Sequence, residues 1–316
     1  MSELLLRPAV DGDVEAMVDL SRRRIGAITG RPHPMTVETM RSMRAAPGRD
    51  TENAFPVVTR DGVLVGYAVL FAVEPFSEIY VMAHAEPDLD DASYAEVLSL
   101  LVVAGERYAQ ASVAHLPVAA ETALVTDTLR DDVRMARVLT DLGFGVDRNA
   151  YEMAIDLAGR DLTPAPWPEG IEVRPLDGPG DAAAVSAVFM EAFLDHQGDL
   201  PFTPDMIGHL LAGPDARLDV SALATDSEGP VGAIFCRDRT DDGYVWVLGV
   251  LRRGRRRGLA GGLLTHAFAG FAATGTTTVT LEVEAQSLTG ATRVYERAGM
   301  AVRTVQDTWV RPLTRP

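Results

Sequence analysis

Five arginines and three small residues in the second half of the chain could together hold a phosphate group. The arginines fall between Arg252 and Arg257, and Gly258, Ala260 and Gly261 follow them. A run of β-branched and aromatic residues precedes the arginines and an apolar pattern at helical spacing follows, which predicts a strand, a turn and a helix. Backbone N–H groups at the start of a helix bind anions where side chains leave them uncovered. The pattern therefore predicts a phosphate site at this helix start.

The overall charge and composition exclude several classes of partner. The chain of 316 residues has a formal net charge of −16 and a single cysteine, Cys236. An acidic chain with no long apolar run and no apolar leader is predicted to be cytoplasmic and to bind neither nucleic acid nor membranes. One cysteine allows no cysteine-based zinc cluster, and the histidines have no partners at metal-ligand spacing, so we expect no metal. An acidic surface would attract a cationic substrate such as an amine.

The predicted helices and strands occur twice in the same order. A proline-rich linker, residues 158–170, separates two halves, residues 1–157 and 171–316. In each half the hydrophobic pattern predicts a strand, two helices, three strands, a helix, a strand, a helix and a final strand. The two series are offset by about 167 residues, which indicates a duplication. We therefore predict an α/β protein with a mixed sheet and two domains in tandem.

Two short motifs and this order of elements resemble the GNAT superfamily of acetyl-CoA-dependent N-acyltransferases. Arg255, Gly258 and Ala260 match its [R/Q]-x-x-G-x-[G/A] pyrophosphate loop. The late helix of the second half resembles the N-x-x-x-A-x-x-x-Y-x-x-x-G-[F/M] segment of the family, and the motif positions hold Ser287, Ala291, Tyr295, Gly299 and Met300. On these grounds the chain is identified as a tandem GNAT N-acetyltransferase with two GNAT domains.

The resemblance implies that acetyl-CoA is the co-substrate and that the second half binds it. Backbone groups of Leu248 and Val250 would hold the pantetheine arm, and Gly249 would allow a close approach. Tyr295 would act as the general acid that protonates the departing thiolate. The residues implied in cradling the pyrophosphate and lining the groove are Arg255, Arg256, Arg257, Gly258, Leu259, Ala260, Gly261, Ser287 and Ala291.

The general base is the point at which the chain departs from its relatives. Mycothiol synthases, which are tandem members of similar layout, carry a glutamate where this chain has Tyr244. A base must accept a proton from the attacking amine. The candidates are Tyr244 and Glu284, with Glu282, Asp242 and a water molecule as alternatives.

The first half lacks both chemical features of the second. Alignment of the central strands sets Asp90 against Arg255 and Ser93 against Gly258, and carboxylates there would repel a pyrophosphate. Alignment of the late helices sets Leu139 against Tyr295, and leucine cannot donate a proton. We therefore expect the first half to keep the fold without binding coenzyme A in the family manner.

These observations predict an enzyme that transfers an acetyl group from acetyl-CoA to the primary amine of a small molecule. Asp195 and His196, in the region between the first two helices of the second half, are expected to contact that substrate. The oligomeric state is expected to be a monomer or a homodimer. The alternative is a non-catalytic acyl-CoA-binding or regulatory protein with the same fold, because Tyr244 replaces the glutamate.

Overall fold

The chain folds into two compact units. A computed structural model describes residues 3–31, 33–47, 49–72, 75–114, 121–194, 200, 202–239, 242–285 and 290–313. The first unit consists of Met1–Asn149 with Gly198–Leu200 and Gln306–Pro316, and the second consists of Ala150–Gln197 with Pro201–Val305. Among the described residues, no helix combines the length and the apolar composition that crossing a membrane requires.

The elements of the two sequence halves follow one another in the predicted order. The first half contains β1 (Leu4–Pro8), α1 (Val14–Thr29), α2 (Val37–Arg44), β2 (Pro56–Arg60), β3 (Val63–Ala72), β4 (Glu78–Ala85), α3 (Asp91–Ser112), β5 (Ala123–Leu129), α4 (Val133–Asp141) and β6 (Gly145–Asp156). The second half contains β7 (Glu172–Pro175), α5 (Ala182–Ala192), α6 (Pro204–Leu211), β8 (Ala222–Asp226), β9 (Gly229–Asp238), β10 (Gly243–Val250), α7 (Leu259–Ala273), β11 (Thr278–Glu284), α8 (Ala291–Arg297) and β12 (Ala301–Pro312). The prediction of a mixed α/β fold in two similar halves is confirmed.

The last strand of each half completes the sheet of the other half. In the first unit the strand order is β1-β2-β3-β4-β5-β12, because residues 306–312 of β12 pair antiparallel with β5. In the second unit the order is β6-β11-β10-β9-β8-β7, because residues 150–156 of β6 pair antiparallel with β11. The compact units therefore differ from the predicted halves, 1–157 and 171–316, by an exchange of their C-terminal strands.

An arginine–aspartate ion pair precedes the first helix of each half, and it allows the two halves to be aligned residue by residue. Arg7 donates two hydrogen bonds to Asp13, at 2.6 and 2.8 Å, just before α1. Arg174 donates in the same way to Asp181, with one bond at 2.7 Å, just before α5. In both cases the hydrogen bond from the arginine lowers the pKa of the aspartate. Each aspartate directly precedes its helix, so counting from Asp13 and Asp181 makes Arg24 of α1 equivalent to Ala192 of α5.

The first unit has separate cores on the two faces of its sheet. One core packs α1 and α2 against Val57 and Val69, and the other packs α3 and α4 against Val58 and Leu70. Since neighbouring residues of a strand point to opposite faces, α1 and α4 lie on opposite sides of the sheet. A side chain of α1 can therefore reach α4 only by passing between separated strands.

Candidate active site

In the second unit, strands β10 and β11 separate, and beyond Val245 one edge of β10 has no strand partner among the described residues. β10 pairs antiparallel with β9 along its length, with a bulge between Val245 and Val247. Its parallel pairing with β11 covers Gly243 to Val245 and ends at the pair Val245 and Leu281. We call this separation the fork. The backbone of β10 beyond Val245 can therefore offer its polar groups to a ligand.

The residues predicted to bind pantetheine face the fork. Leu251 donates its backbone N–H to Val231 at 2.9 Å, on the β9 side. Because alternate residues of a strand direct their N–H and C=O groups to opposite edges, Leu248 and Val250 present theirs to the fork. The carbonyl of Val250 accepts a hydrogen bond from Arg255 Nε at 3.1 Å. The backbone N–H groups of Leu248 and Val250 are therefore the donors at this edge.

Gly249 is required for packing against α5. A Cβ atom at Gly249 would lie 2.9 Å from Phe189 and 3.1 Å from Ala192, both on α5. The glycine thus lets α5 approach β10 closely. This packing role was not predicted from the sequence, and the close approach of pantetheine to Gly249 stays a prediction.

The N-terminus of α7 is open to an anion. Its N-cap residue, Gly258, has a φ of +82° and no side chain caps the helix. A Cβ atom at Gly258 or Gly261 would meet nothing within 4 Å. The first N–H groups of a helix have no partner within it, so these groups are free to bind a ligand. The backbone here fits a pyrophosphate, as an anion-binding helix start requires.

The arginines before α7 have different roles. Arg255 donates to the carbonyls of Val250 and Ala192, at 3.1 and 3.2 Å, and so ties the end of β10 to the end of α5. Arg253 pairs with Asp226 at 3.0 Å. Among the described residues Arg256 makes no hydrogen bond, and its φ of +61° is a left-handed conformation that costs about 1 kcal/mol or more. Such strain is typical of functional sites.

In the first unit the N-terminus of the equivalent helix, α3, is capped by the carboxylate of Asp90. Asp90 is the N-cap, and its Oδ1 accepts the backbone N–H of Ser93 at 2.9 Å. Its Oδ2 accepts the Ser93 hydroxyl at 2.8 Å. The hydrogen bond from the Ser93 backbone lowers the pKa of Asp90, so the carboxylate is ionised at neutral pH. A fixed negative charge occupies the place that a phosphate would take.

The first unit also has a fork, but side chains fill it. β4 pairs with β5 only over Glu78–Tyr80. Arg24, on α1, donates to Asp132 Oδ2 at 2.6 Å beside α4 on the opposite face, and it also contacts Met135 Sδ at 2.9 Å. Its guanidinium lies 3.4 Å from His84 Nδ1 on β4. Arg24 therefore passes through the opening between the strands.

The second unit has small residues at these positions. By the registers given above, Arg24, His84 and Met135 correspond to Ala192, Gly249 and Ala291. All three replacements in the first unit add bulk at one place, and Arg24 and Met135 are almost fully buried there. The opening that could admit a ligand in the second unit is therefore closed in the first.

Replacing Arg24 should destabilise the chain strongly. Both side chains of the Arg24–Asp132 pair are 6% exposed, and Arg24→Met would leave a buried carboxylate without its cation. We expect the free energy of unfolding to fall by about 3 kcal/mol or more in urea titrations. The double variant Arg24→Met/Asp132→Asn should recover most of this loss, because it buries no charge and keeps an oxygen to cap α4 at Met135 N. A loss below about 1 kcal/mol in Arg24→Met would show that the pair contributes little.

Tyr295 lies on α8, and its hydroxyl is protonated at neutral pH. Ala291 and Tyr295 are one turn apart and share a face of the helix, which packs against β11 and α7. The Tyr295 side chain is buried, and this burial raises its pKa to about 12. Its hydroxyl therefore keeps its proton at neutral pH. Ser287, which precedes the helix, lies outside the described residues.

The two predicted base candidates differ in their surroundings. Tyr244 is buried before the fork opens, and burial together with the charge of Glu282 raises its pKa well above the usual value. A protonated phenol cannot accept a proton, so Tyr244 does not suit the role of a base. Glu284 is half-buried at the end of β11.

The remaining predicted site residues give no further geometry. Asp195 and His196, predicted to contact the acceptor, lie outside the described residues. Within the part of the chain that is described, no three His, Cys, Asp or Glu side chains group so that they could hold a metal ion. Sequence reasoning missed Arg239, which lies on the Tyr244 ring, and Glu152, which β6 brings beside β11. Their sequence neighbours carry no motif, and only strand pairing brings them together.

Comparisons with known proteins agree with the fold. Residues 185–300 match the sequence model of the acetyltransferase (GNAT) family, and this match lies within the second half. A mycothiol acetyltransferase from Streptomyces griseus subsp. griseus is 27% identical over 253 residues, which cover 79% of this chain and 77% of that protein.

Two solved structures share the fold over the whole chain. A GCN5-related N-acetyltransferase from Sphaerobacter thermophilus has a TM-score of 0.76 at 24% identity, covering 99% of this chain and 96% of that one. A tandem GNAT protein from the clavulanic acid biosynthesis pathway has a TM-score of 0.75 at 14% identity, covering 99% of this chain and 100% of that one. Residues 185–300 are therefore similar in sequence to the acetyltransferase (GNAT) family, and the chain as a whole has the fold of a tandem GNAT protein.

Proposed function

We propose that the chain is an acetyl-CoA-dependent N-acetyltransferase that acts on the primary amine of a small molecule, with its active site in the second unit. One contrast supports this proposal. The second unit combines an uncapped helix start at Gly258 with an unpaired edge of β10. In the first unit Asp90 caps the equivalent helix and Arg24 fills the equivalent fork.

Residues of the second unit would hold the acetyl donor along the fork. The N–H groups at the start of α7 and the Arg256 side chain would bind the pyrophosphate, since both lack partners among the described residues. The backbone of Leu248 and Val250 would bind the pantetheine arm. Such binding orients the thioester relative to an incoming amine. Tyr295 would then protonate the departing sulfur.

The acceptor is proposed as a chemical class. The relative named mycothiol acetyltransferase makes an acceptor related to mycothiol one candidate. Tyr244 stands where mycothiol synthases have a glutamate, however, and this difference lies at the start of the central strand. We therefore propose a small primary amine without naming it.

The release of free thiol from acetyl-CoA in the presence of amines tests this function. We expect at least one amine in a panel of glucosamine, tyramine, putrescine and glycinamide to raise the rate above that without amine. Cys236 should not disturb a thiol reagent, because it is fully buried and burial raises its pKa. Acetyl-CoA binding without thiol release from any amine would favour the alternative, a non-catalytic acyl-CoA-binding protein.

A further inference from the structure

A cluster of charged side chains lies at the base of the fork in the second unit, and no step described above uses it. We call it the fork cluster, and its members are Glu152, Arg239, Asp242, Tyr244, Glu282 and Arg303. We propose that Glu282 takes the proton from the acceptor amine and that Arg239 is the positioning residue that holds Glu282. This inference rests on the proposed function and assigns its missing base.

Glu282 lies where the two strands separate. The last pair between β10 and β11 joins Val245 to Leu281, and Glu282 is the next residue of β11. Directly opposite Glu282 on β6 is Glu152. Two carboxylates in this position repel each other unless a cation lies between them. Glu282 is thus at the point where an acyl group bound in the fork would end. The orientation of its side chain depends on a cation that offsets the charge of Glu152.

Arg239 supplies that counter-charge. One of its terminal nitrogens lies 3.1 Å from Glu282 Oε1, and the other lies 3.5 Å from Glu152 Oε2. Its guanidinium carbon lies 3.4 Å from the centroid of the Tyr244 ring. A guanidinium on an aromatic face is held both by its charge and by stacking. Tyr244 therefore acts as the platform on which Arg239 bridges the two glutamates.

This arrangement explains why a tyrosine is suitable at residue 244. Here the carboxylate comes from the neighbouring strand, and the tyrosine orients the arginine that holds it. A glutamate at residue 244 would put a third negative charge beside Glu152 and Glu282.

Glu282 is the carboxylate of the cluster that an amine can reach. Glu152 accepts hydrogen bonds from Arg303 at 2.6 Å and Thr304 at 3.1 Å, and its side chain is 13% exposed. Burial opposes the ionisation of Glu152, but the hydrogen bond from Arg303 and the charges of Arg303 and Arg239 outweigh it and lower its pKa. Asp242 pairs with Arg303 at 2.8 Å. The side chain of Glu282 is 40% exposed, so its carboxylate stays open to solvent.

The first unit keeps a tyrosine and a carboxylate at the equivalent place, Tyr80 and Asp127. Tyr80 pairs with Phe71 as Tyr244 pairs with Arg237, and Asp127 faces Thr308 as Glu282 faces Glu152. The Asp127 carboxylate accepts a hydrogen bond from the Thr308 hydroxyl at 2.6 Å. Because Arg24 fills the fork of the first unit, the two carboxylates differ in their access to the fork.

The proposed step balances its protons. Glu282 takes one proton from the ammonium group, and the freed nitrogen lone pair forms the bond to the acetyl carbonyl carbon. The carbon–sulfur bond breaks with its electron pair on sulfur, and the Tyr295 hydroxyl protonates the sulfur. The second proton lost by nitrogen returns to Tyr295 through solvent. The products are an amide and a thiol, and Glu282 releases its proton to water.

Variants of Glu282 test the inference through the pH dependence of kcat/KM. The substrate is the amine of the panel that the unaltered chain acetylates fastest. We expect Glu282→Gln to lower kcat about 100-fold or more and to abolish the acid limb of the profile. Its Kd for acetyl-CoA, measured by isothermal titration, should not change. Glu228→Gln, at an exposed turn of the same unit, is the matched control and should behave as the unaltered chain.

Arg239 variants separate positioning from folding. Arg239→Gln should lower kcat about tenfold and leave the Kd for acetyl-CoA unchanged, because Glu282 would lose the cation that orients it beside Glu152. Arg239→Lys keeps the charge and should restore much of kcat. A purely structural role would change the melting temperature and leave kcat unchanged. If Arg239→Gln fails to fold, Glu282→Gln still decides the question.

Three results would overturn the inference. The first is that Glu282→Gln keeps the acid limb of its kcat/KM profile and a kcat within about threefold of the unaltered value. The second is that the acid limb disappears in Glu284→Gln instead. In either case the N-acetyltransferase proposal would stand. If the unaltered chain binds acetyl-CoA and acetylates no amine, the inference and the proposed function fail together.

Discussion

Replacing Gly258 with aspartate should lower the affinity for acetyl-CoA at least about 100-fold, which corresponds to about 2.7 kcal/mol. Gly258 is the N-cap of α7, and it has no side chain over the open N–H groups. An aspartate there would place a carboxylate beside the open N–H groups of the helix start. Its charge would also repel a pyrophosphate at close range. Isothermal titration of the variant with acetyl-CoA measures the loss.

Gly275 offers a matched control at the other end of α7. Its φ of +87° is close to the +82° of Gly258, and an added Cβ would meet nothing within 4 Å at either position. Gly275→Asp therefore introduces similar backbone strain and the same charge, away from the helix start. We expect its affinity to equal that of the unaltered chain. An affinity of Gly258→Asp within about fivefold of the control would contradict an anion site at α7.

Replacing Tyr295 with phenylalanine should lower kcat by about 100-fold and leave acetyl-CoA binding intact. The variant removes one hydroxyl and keeps the ring that fills the buried face of α8. General acid catalysis commonly contributes about 100- to 10,000-fold to rate. Because burial raises the pKa of Tyr295 to about 12, the hydroxyl stays protonated over the whole neutral range. The rate should therefore show no alkaline limb from Tyr295 below about pH 11.

The kinetic pattern separates this role from simple packing. Tyr108→Phe, on α3 of the first unit, removes a hydroxyl away from the proposed site and serves as control. A loss in kcat with an unchanged Kd for acetyl-CoA would indicate an interaction formed in the transition state. An unchanged kcat in Tyr295→Phe would remove the residue from the mechanism.

The order of the elements was predictable because it depends on local patterns. Apolar residues at helical or alternating spacing mark the helices and strands, and the duplication repeats them. The exchange of β6 and β12 was not predictable, because strand pairing depends on residues far apart in sequence. Thr128 and Asp307, which face each other in β5 and β12, are separated by most of the chain.

The candidate site was predictable to a similar extent. Gly258 and Asp90 lie at helix starts, and the effect of a residue there can be derived from the sequence around it. Arg24 and Asp132 are 108 residues apart, and neither belongs to a motif. The Arg239 bridge likewise depends on Glu152, a residue of the other sequence half. Contacts of this kind require the three-dimensional arrangement of the strands.

Two glycines show that the role of a glycine cannot be derived from its sequence neighbours alone. Gly249 and Gly258 both stood near the predicted coenzyme A groove. Gly258 is open and has a left-handed backbone, so its role depends on what approaches from outside. Gly249 is covered by Phe189 and Ala192, so its role is internal packing. The same residue type therefore supports a ligand site in one place and a helix contact in the other.

The number of acetyl-CoA molecules bound per chain tests the central claim most directly. The claim is that the second unit binds the acetyl donor and that the first cannot, because Asp90 closes its helix start and Arg24 fills its fork. Isothermal titration of the unaltered chain should give one site, and Gly258→Asp should remove it. Two equal sites in the unaltered chain, or one site that survives Gly258→Asp, would contradict the account.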